Sequence, residues 1–292
     1  MSAGLPRFGV HAGLWGFDWT PDAAARTIGS AAAAGYDFIE IPAVDRSVHP
    51  PDDTRRALSA NGLDAVVSLA LSFDDDITSS DPAVAARGEH RLAEAVAFAA
   101  EIGATFVGGV VFSAMGRYLR LPTAADRDRS LAALRRTATL AARDGITLGV
   151  EYVNRYESNL LNTAAQTARF VREIDQPNVV VHMDTFHASV EEISLGDAVR
   201  DAGPLLGYIH ASESHRGRLG TGTIDWRRFA DDLRAAGFAG PVTVETFSSA
   251  VVGTDAAVDI GLWRPLWEDP SAVAADSLQF LREQFTPVAV TV

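Results

Sequence analysis

The chain is 292 residues long, 47% hydrophobic and 22% charged, the make-up of a folded globular protein with apolar residues to spare for a large core. Its formal net charge of -13 argues against a nucleic-acid partner, which requires clustered Lys and Arg to displace counterions. It has no Cys, and all 25 basic residues are Arg, so thiol nucleophiles, disulfides, Cys-ligated zinc, Schiff bases, pyridoxal phosphate linkage and a Walker loop are all excluded.

The N-terminal "MSAGLPRFGV" lacks a basic region followed by an apolar signal core, and no apolar run reaches the length of a membrane span. A cytoplasmic location and no membrane partner are the expectation. A first strand is predicted over Phe8–Gly13. In "TPDAAARTIGSAAAAGYDFIEI", Thr20 is placed to cap a helix, Pro21 to open it and Gly35 to stop it, before a strand over Phe38–Pro42. The next strand is predicted over Ala65–Leu69. Asp81, Pro82 and Gly103 then repeat the cap, start and stop ahead of a strand over Thr105–Val111.

Gly145 ends the helix before a strand over Thr147–Glu151, and further strands follow over Val179–Asp184 and Gly207–Ala211. In "DWRRFADDLRAAGFAGPVTVE", Asp225 caps and Gly237 stops the helix leading to a strand over Val242–Thr246. Eight short strands alternating with helices predict an α/β fold of parallel βαβ units, a closed (β/α)8 TIM barrel in preference to an open doubly wound sheet. Without a linker or a composition break, residues 1–292 read as a single domain with a helical tail over about 263–292. Trp263 and Trp267 in that tail are expected to pack over the barrel, with a pocket lid or a subunit contact as alternatives.

Functional groups of a β/α barrel stand at the C-terminal ends of its strands. The predicted strands five to eight end in or carry there Glu151, Asp184, His210 and Glu245, each about one βα unit from the next. Any one of them alone is better explained by loop solvation or core packing. Together they form a hard, mostly oxygen donor set for a divalent cation, with Mn²⁺ preferred and Mg²⁺ or Co²⁺ as alternatives. His182 shares the inward face with Asp184 one layer deeper and reads as packing or as a support behind the ligands. His187 and Glu157 fall just past their strands, where they would meet a substrate hydroxyl or simply face solvent. Arg216 and Arg218 offer forked donors for sugar oxygens or a phosphate, and Gly217, Gly220 and Gly222 would let the backbone approach a ligand. His11, Trp15 and Phe17 after strand one, and Phe112 and Met115 after strand four, are wall or packing residues.

The motifs "VEYVNRYESNLLNT", "HMDTFH", "IHASESHRGRLGTG" and "VTVETF" resemble, in order and over nearly the whole chain, the ketose 3-epimerases of the D-tagatose and D-allulose type in the xylose isomerase-like barrel superfamily. The resemblance implies Glu151, Asp184, His210 and Glu245 as metal ligands, Glu151 and Glu245 as the acid/base pair, and Glu157, His187 and Arg216 as contacts to the ketose. His11 and Trp15 are the expected wall. The implied reaction inverts C3 of a free ketose (D-allulose/D-fructose, D-tagatose or L-ribulose) through a metal-stabilised enediolate, which suits two carboxylates flanking one substrate. The implied partners are a small sugar and further copies of the chain, in a homodimer or homotetramer. An aldose–ketose or hydroxypyruvate-type isomerase and an inosose dehydratase-like lyase share the ligand set and are the alternatives. A sugar-binding relative without turnover would not need an acid/base pair, and a metal-dependent DNA repair endonuclease would need a basic face.

Overall fold

The computed structural model describes residues 5–287. Residues 1–4 of the N-terminal reading and 288–292 of the predicted tail lie outside the described residues.

Helix α1 (Pro21–Ala34) shows how the repeat folds. Ala23, Ala24, Thr27, Ile28 and Ala31 recur at helical spacing and form its buried face, Pro21 opens it, and Gly35 ends it at φ 86°, where a side chain would be strained. Thr20 stands at the N-cap but makes no capping bond, its hydroxyl turning instead to Asp18. The strands are β1 (Phe8–His11), β2 (Phe38–Pro42), β3 (Asp64–Leu71), β4 (Phe106–Ala114), β5 (Thr147–Glu151), β6 (Val179–Asp184), β7 (Leu206–Ala211) and β8 (Val242–Val244). Each pairs in parallel with the next, and β1 pairs with β8, closing an eight-stranded barrel in a single domain.

Around it run α1, α2 (Pro51–Asn61), α3 (Pro82–Ile102), α4 (Ala124–Ala142), α5 (Ala164–Ile174), α7 (Leu195–Ala202), α8 (Trp226–Ala235) and α10 (Pro270–Phe285), each packed on its neighbour until α10 meets α1. Two short helices, α6 (Thr185–Glu191) and α9 (Thr254–Ile260), follow β6 and β8 at the mouth of the barrel. Among the described residues no helix is long and apolar enough to cross a membrane.

Alternation along each strand sends one residue in two into the barrel. Phe38, Val66, Phe106 and Tyr208 fill its lower interior, with the Phe106 and Tyr208 rings stacked at 4.3 Å. Glycine makes room for these rings, since a Cβ on Gly9 would stand 2.2 Å from Phe38 and one on Gly149 would stand 2.3 Å from Phe106. Two residues further along the same strands the interior turns polar, and the register sets Asp184 beside His210 and Glu151 beside His182.

Some strand limits differ from those expected. β1 stops at His11 because the His11 ring accepts the Gly13 N–H and turns the chain into a 3-10 turn over Ala12–Leu14. β8 stops at Val244, although the Glu245 N–H still donates to the Ala211 carbonyl and so keeps that residue on the barrel rim. In the tail Trp267 is buried while Trp263 is 79% exposed, so packing holds for only one of the pair.

Candidate active site

His210, on β7, is the centre around which the polar layer assembles. Its Nδ1 lies 3.1 Å from Glu151, 3.5 Å from Glu245 and 3.9 Å from Asp184, so the four predicted strand-end donors meet at one point. All four are buried. Two overlapping groups, Glu151 with His182 and His210, and Asp184 with His210 and Glu245, have the spacing of a metal site.

The other imidazole nitrogen is committed to a residue the sequence reading missed. Both oxygens of Glu40, on β2, lie 2.9 Å from His210 Nε2, and Glu40 also accepts the Tyr208 hydroxyl at 2.6 Å. Glu40 is 1% exposed, deep in the barrel. A proton on Nε2 shared with Glu40 leaves Nδ1 free to bind a cation, the arrangement by which a carboxylate orients a metal-binding imidazole. Its one signal in the sequence was a charge inside the apolar "FIEIP".

Crowded charge shapes the titration of this layer. Burial pushes the Glu151 carboxyl up, and Asp184 and Glu40 add to the shift; burial also raises Glu245, with Glu151 and Glu40 reinforcing it. Asp184 is pushed up to about 6 by burial and by Glu245. Burial alone would depress His210, but Glu40, Glu245 and Glu151 outweigh it and hold the imidazole well above its ordinary value. In the metal-free centre four buried carboxylates thus face two cationic groups, His210 and Arg216, and a divalent cation taking the place of the His210 proton would reduce the excess negative charge. The oxygen-rich donor set with one imidazole fits such an ion.

On the β6 side, Asp184 caps α6 by accepting the His187 N–H at 2.9 Å. Ser212 donates to Asp184 at 2.8 Å and also reaches the Glu245 carboxylate at 3.2 Å, tying two of the acids together. His187 lies within α6, buried, and not on an exposed loop. Donors stand at both His187 ring nitrogens: the Asn154 backbone and side-chain N–H groups lie 3.2 and 2.9 Å from Nδ1, and the Arg216 guanidinium approaches Nε2. That nitrogen faces Arg216 Nη2 at 2.7 Å and Glu157 at 3.9 Å. Asn154 also donates to Glu157 at 2.9 Å, so Glu157 is held at the edge of the same cluster. Arg216 lies 3.8 Å from Glu245, rests over the Phe186 ring at 4.5 Å, and keeps its buried Nε without a protein partner.

These groups open into a cavity of about 170 Å³ lined by His11, Glu151, His187, His210, Arg216 and Glu245 on its polar side. Phe17, Leu69, Val110, Met115, Phe247 and Ile260 form the apolar side. His11 therefore stands on the wall, pressed down to about 4 by burial and so neutral. Trp15 does not line this cavity. It packs on the core one turn away, because the 3-10 turn carries Phe17 to the mouth in its place. Phe112 is core as well, while Met115 reaches the pocket.

Arg218 points away from the site and pairs with Asp276 on α10. The glycines of the loop after β7 serve packing rather than a ligand, since a Cβ on Gly222 would stand 2.4 Å from Glu213. Glu213, missed by the sequence reading, is buried and gathers the N–H groups of Ser214, Gly220 and the Trp226 indole at 2.8–2.9 Å, which shapes the loop that presents Arg216.

A closed parallel barrel with a buried acidic and imidazole centre at the C-terminal ends of its strands has its polar site where β/α-barrel enzymes carry theirs. Residues 28–284 match the family model described as xylose isomerase-like TIM barrel, and the chain belongs to that family. It is 38% identical over 278 residues to an L-ribulose 3-epimerase of Methylomonas sp. (strain DH-1), covering 95% of this chain and 97% of the relative. It is also 38% identical over 282 residues to a ketose 3-epimerase of Arthrobacter globiformis, covering 97% and 98%. The crystal structure of D-allulose 3-epimerase from Methylomonas sp. in complex with D-allulose superposes with a TM-score of 0.93 at 38% identity, over 96% of this chain and 97% of that one. These relatives are ketose 3-epimerases, and the chain is accordingly an enzyme of the isomerase class.

Proposed function

We propose that the protein inverts C3 of a free ketose of the D-allulose/D-fructose, D-tagatose or L-ribulose class, with a divalent metal held by Glu151, Asp184, His210 and Glu245. The observation that carries this reading is the placement of two buried carboxyls with raised pKa, Glu151 and Glu245, at 3.1 and 3.5 Å from one imidazole nitrogen on the wall of a small cavity. At about 170 Å³ the cavity falls below the roughly 300–1,000 Å³ of sites for drug-sized ligands and suits a compact polyol.

When bound, the cation supplies Lewis acidity that polarises the ketose carbonyl and stabilises the negative charge that develops beside it. The protein's own groups move the proton. One of Glu151 and Glu245, which come from β5 and from the end of β8, removes the C3 hydrogen, and the other returns a proton to the opposite face. Raised carboxyl pKa values bring both groups closer to the working pH, where a carboxylate is a better base and a carboxylic acid is still present. The Arg216 guanidinium, set against His187 Nε2 on the pocket wall, donates to substrate oxygens at the carbonyl end, with Glu157 accepting from a hydroxyl beside them. The apolar wall of Phe17, Leu69, Met115 and Phe247 excludes water from the reacting carbon.

Metal-stripped protein reconstituted with Mn²⁺ and incubated in D₂O with D-fructose, D-allulose, D-tagatose and L-ribulose tests the reading. Metal-dependent conversion to the C3 epimer with deuterium at C3 supports it; aldose formation, or no turnover of any of the four, refutes it. The homodimer or homotetramer implied by the resemblance is supported by the exposure of Leu119, Leu121 and Tyr156 on loops after β4 and β5. A monomer by light scattering would reject it.

A further inference from the structure

Arg216 and Asp175 are the described non-glycine residues with φ in the left-handed region, at 59° and 55°. Asp175 closes α5, where such a residue is an ordinary cap. Arg216 has no helix to close. A left-handed backbone costs a residue bearing a Cβ about 1–2 kcal/mol, so its surroundings must hold it there.

Two hydrogen bonds do so. The Arg216 N–H donates to the Glu213 carbonyl at 2.7 Å, and the Arg216 carbonyl accepts the Thr246 hydroxyl at 2.7 Å. Thr246 follows Glu245 directly and is wholly buried. Its oxygen in turn accepts the indole N–H of Trp267 at 2.9 Å. A hydroxyl has one proton to give, and the indole, by taking a lone pair, turns that proton toward the loop carbonyls of Arg216 and, at 3.1 Å, Gly217. Trp267 is anchored as well, its carbonyl accepting the Ser248 hydroxyl at 2.5 Å, and that same hydroxyl oxygen takes the Leu266 N–H at 3.1 Å.

We propose that Trp267 and Thr246 are positioning residues for the reaction: their relay locks the Arg216 backbone in its left-handed turn and so delivers the guanidinium to the substrate pocket before substrate arrives. The far end of Arg216 shows the consequence. Its Nη2 lies 2.7 Å from His187, and its unpartnered Nε is buried beside the pocket it lines. Relaxation to a right-handed backbone would swing the Cα–Cβ bond and carry all these donors away from the site. Binding energy that would otherwise go into ordering the side chain is then kept for the sugar.

The activity readout rests on the epimerase reading above, so the test pairs it with one that does not. Thr246→Val keeps the shape and removes the hydroxyl, Thr246→Ser keeps the hydroxyl, and Trp267→Phe removes the indole N–H. We expect Thr246→Val and Trp267→Phe to raise KM for D-allulose about tenfold while kcat of the Mn²⁺-loaded enzyme changes less than about threefold, the pattern of a lost contact that acts alike on substrate and transition state. Thr246→Ser should restore KM, and a crystal structure of Thr246→Val should show Arg216 out of the left-handed region. An unchanged KM with a lowered Tm, a Thr246→Ser variant as impaired as Thr246→Val, or an Arg216 φ still near 59° in the variant would overturn the proposal. If Thr246→Val does not fold, Trp267→Phe carries the same kinetic and crystallographic comparison. Should the wild-type protein be silent on every ketose, it is the epimerase reading that has failed, and the Arg216 backbone in the variants alone decides whether the relay holds it.

Discussion

Replacing Glu40 by Gln is the sharpest test of how the centre is built. Both Glu40 oxygens lie 2.9 Å from His210 Nε2, and one also accepts the Tyr208 hydroxyl at 2.6 Å. Gln preserves the shape but removes the charge, and it offers a single carbonyl oxygen where two donors are now received. A hydrogen bond to a charged group contributes about 1.5–3 kcal/mol against about 0.5–1.5 for a neutral pair, so roughly 1–2 kcal/mol of support for the imidazole is lost. At 1.4 kcal/mol per factor of ten that is about a 5- to 30-fold fall in cation affinity, within the range of about 10–100-fold reached when the outer partner of a metal-binding imidazole is changed. Calorimetric titration of metal-stripped Glu40→Gln with Mn²⁺ measures it directly, with near-UV circular dichroism to establish that the core is intact. An affinity within about threefold of wild type, in a folded variant, would show that Glu40 merely fills space beneath His210 and would refute the reasoning.

Glu245→Gln should lower kcat by about 10²–10⁴-fold, the contribution of a positioned acid or base, while thermal unfolding still shows a cooperative transition; near-normal turnover would remove Glu245 from the acid/base pair. Stabilisation by Mn²⁺ should grow as pH rises through about 6, because Asp184 is raised to about 6 and must lose its proton to bind a cation. The sign is set by the raised pKa: in the metal-free protein the proton on Asp184 contributes stability at low pH that is lost as pH rises, and the cation replaces it. A Tm increment from Mn²⁺ that is flat between pH 5 and 7.5 would contradict this. Glu213→Ala leaves the N–H groups of Ser214, Gly220 and the Trp226 indole without their acceptor and should cost about 3 kcal/mol in urea unfolding. A change below about 1 kcal/mol would mean that water replaces the carboxylate there.

The barrel was legible because its signals are local. A Pro start, a Gly stop and a short β-branched run recur along the chain, and each is decided within a few residues of itself. The meeting of Glu151, Asp184, His210 and Glu245 followed from one rule, that successive parallel strands bring their C-terminal ends together, so spacing along the chain became adjacency in space. Where a turn intervened the reading slipped. Trp15 and Phe17 are two residues apart, and only the direction of the 3-10 turn after His11 decides which of them reaches the mouth. Arg216 and Arg218 looked alike in sequence, but one points inward and the other pairs with Asp276.

The sequence by itself thus determined the eight strands, their order and the donors at four of their ends, since these depend on period, caps and chain separation. Tertiary structure alone decided the partners of those donors. Glu40 reaches His210 across the barrel interior from β2 to β7, and Trp267 reaches Thr246 from the tail, because strand tilt and closure bring distant segments face to face. Such contacts depend on the direction of a side chain across a closed interior, which no local pattern of residues encodes.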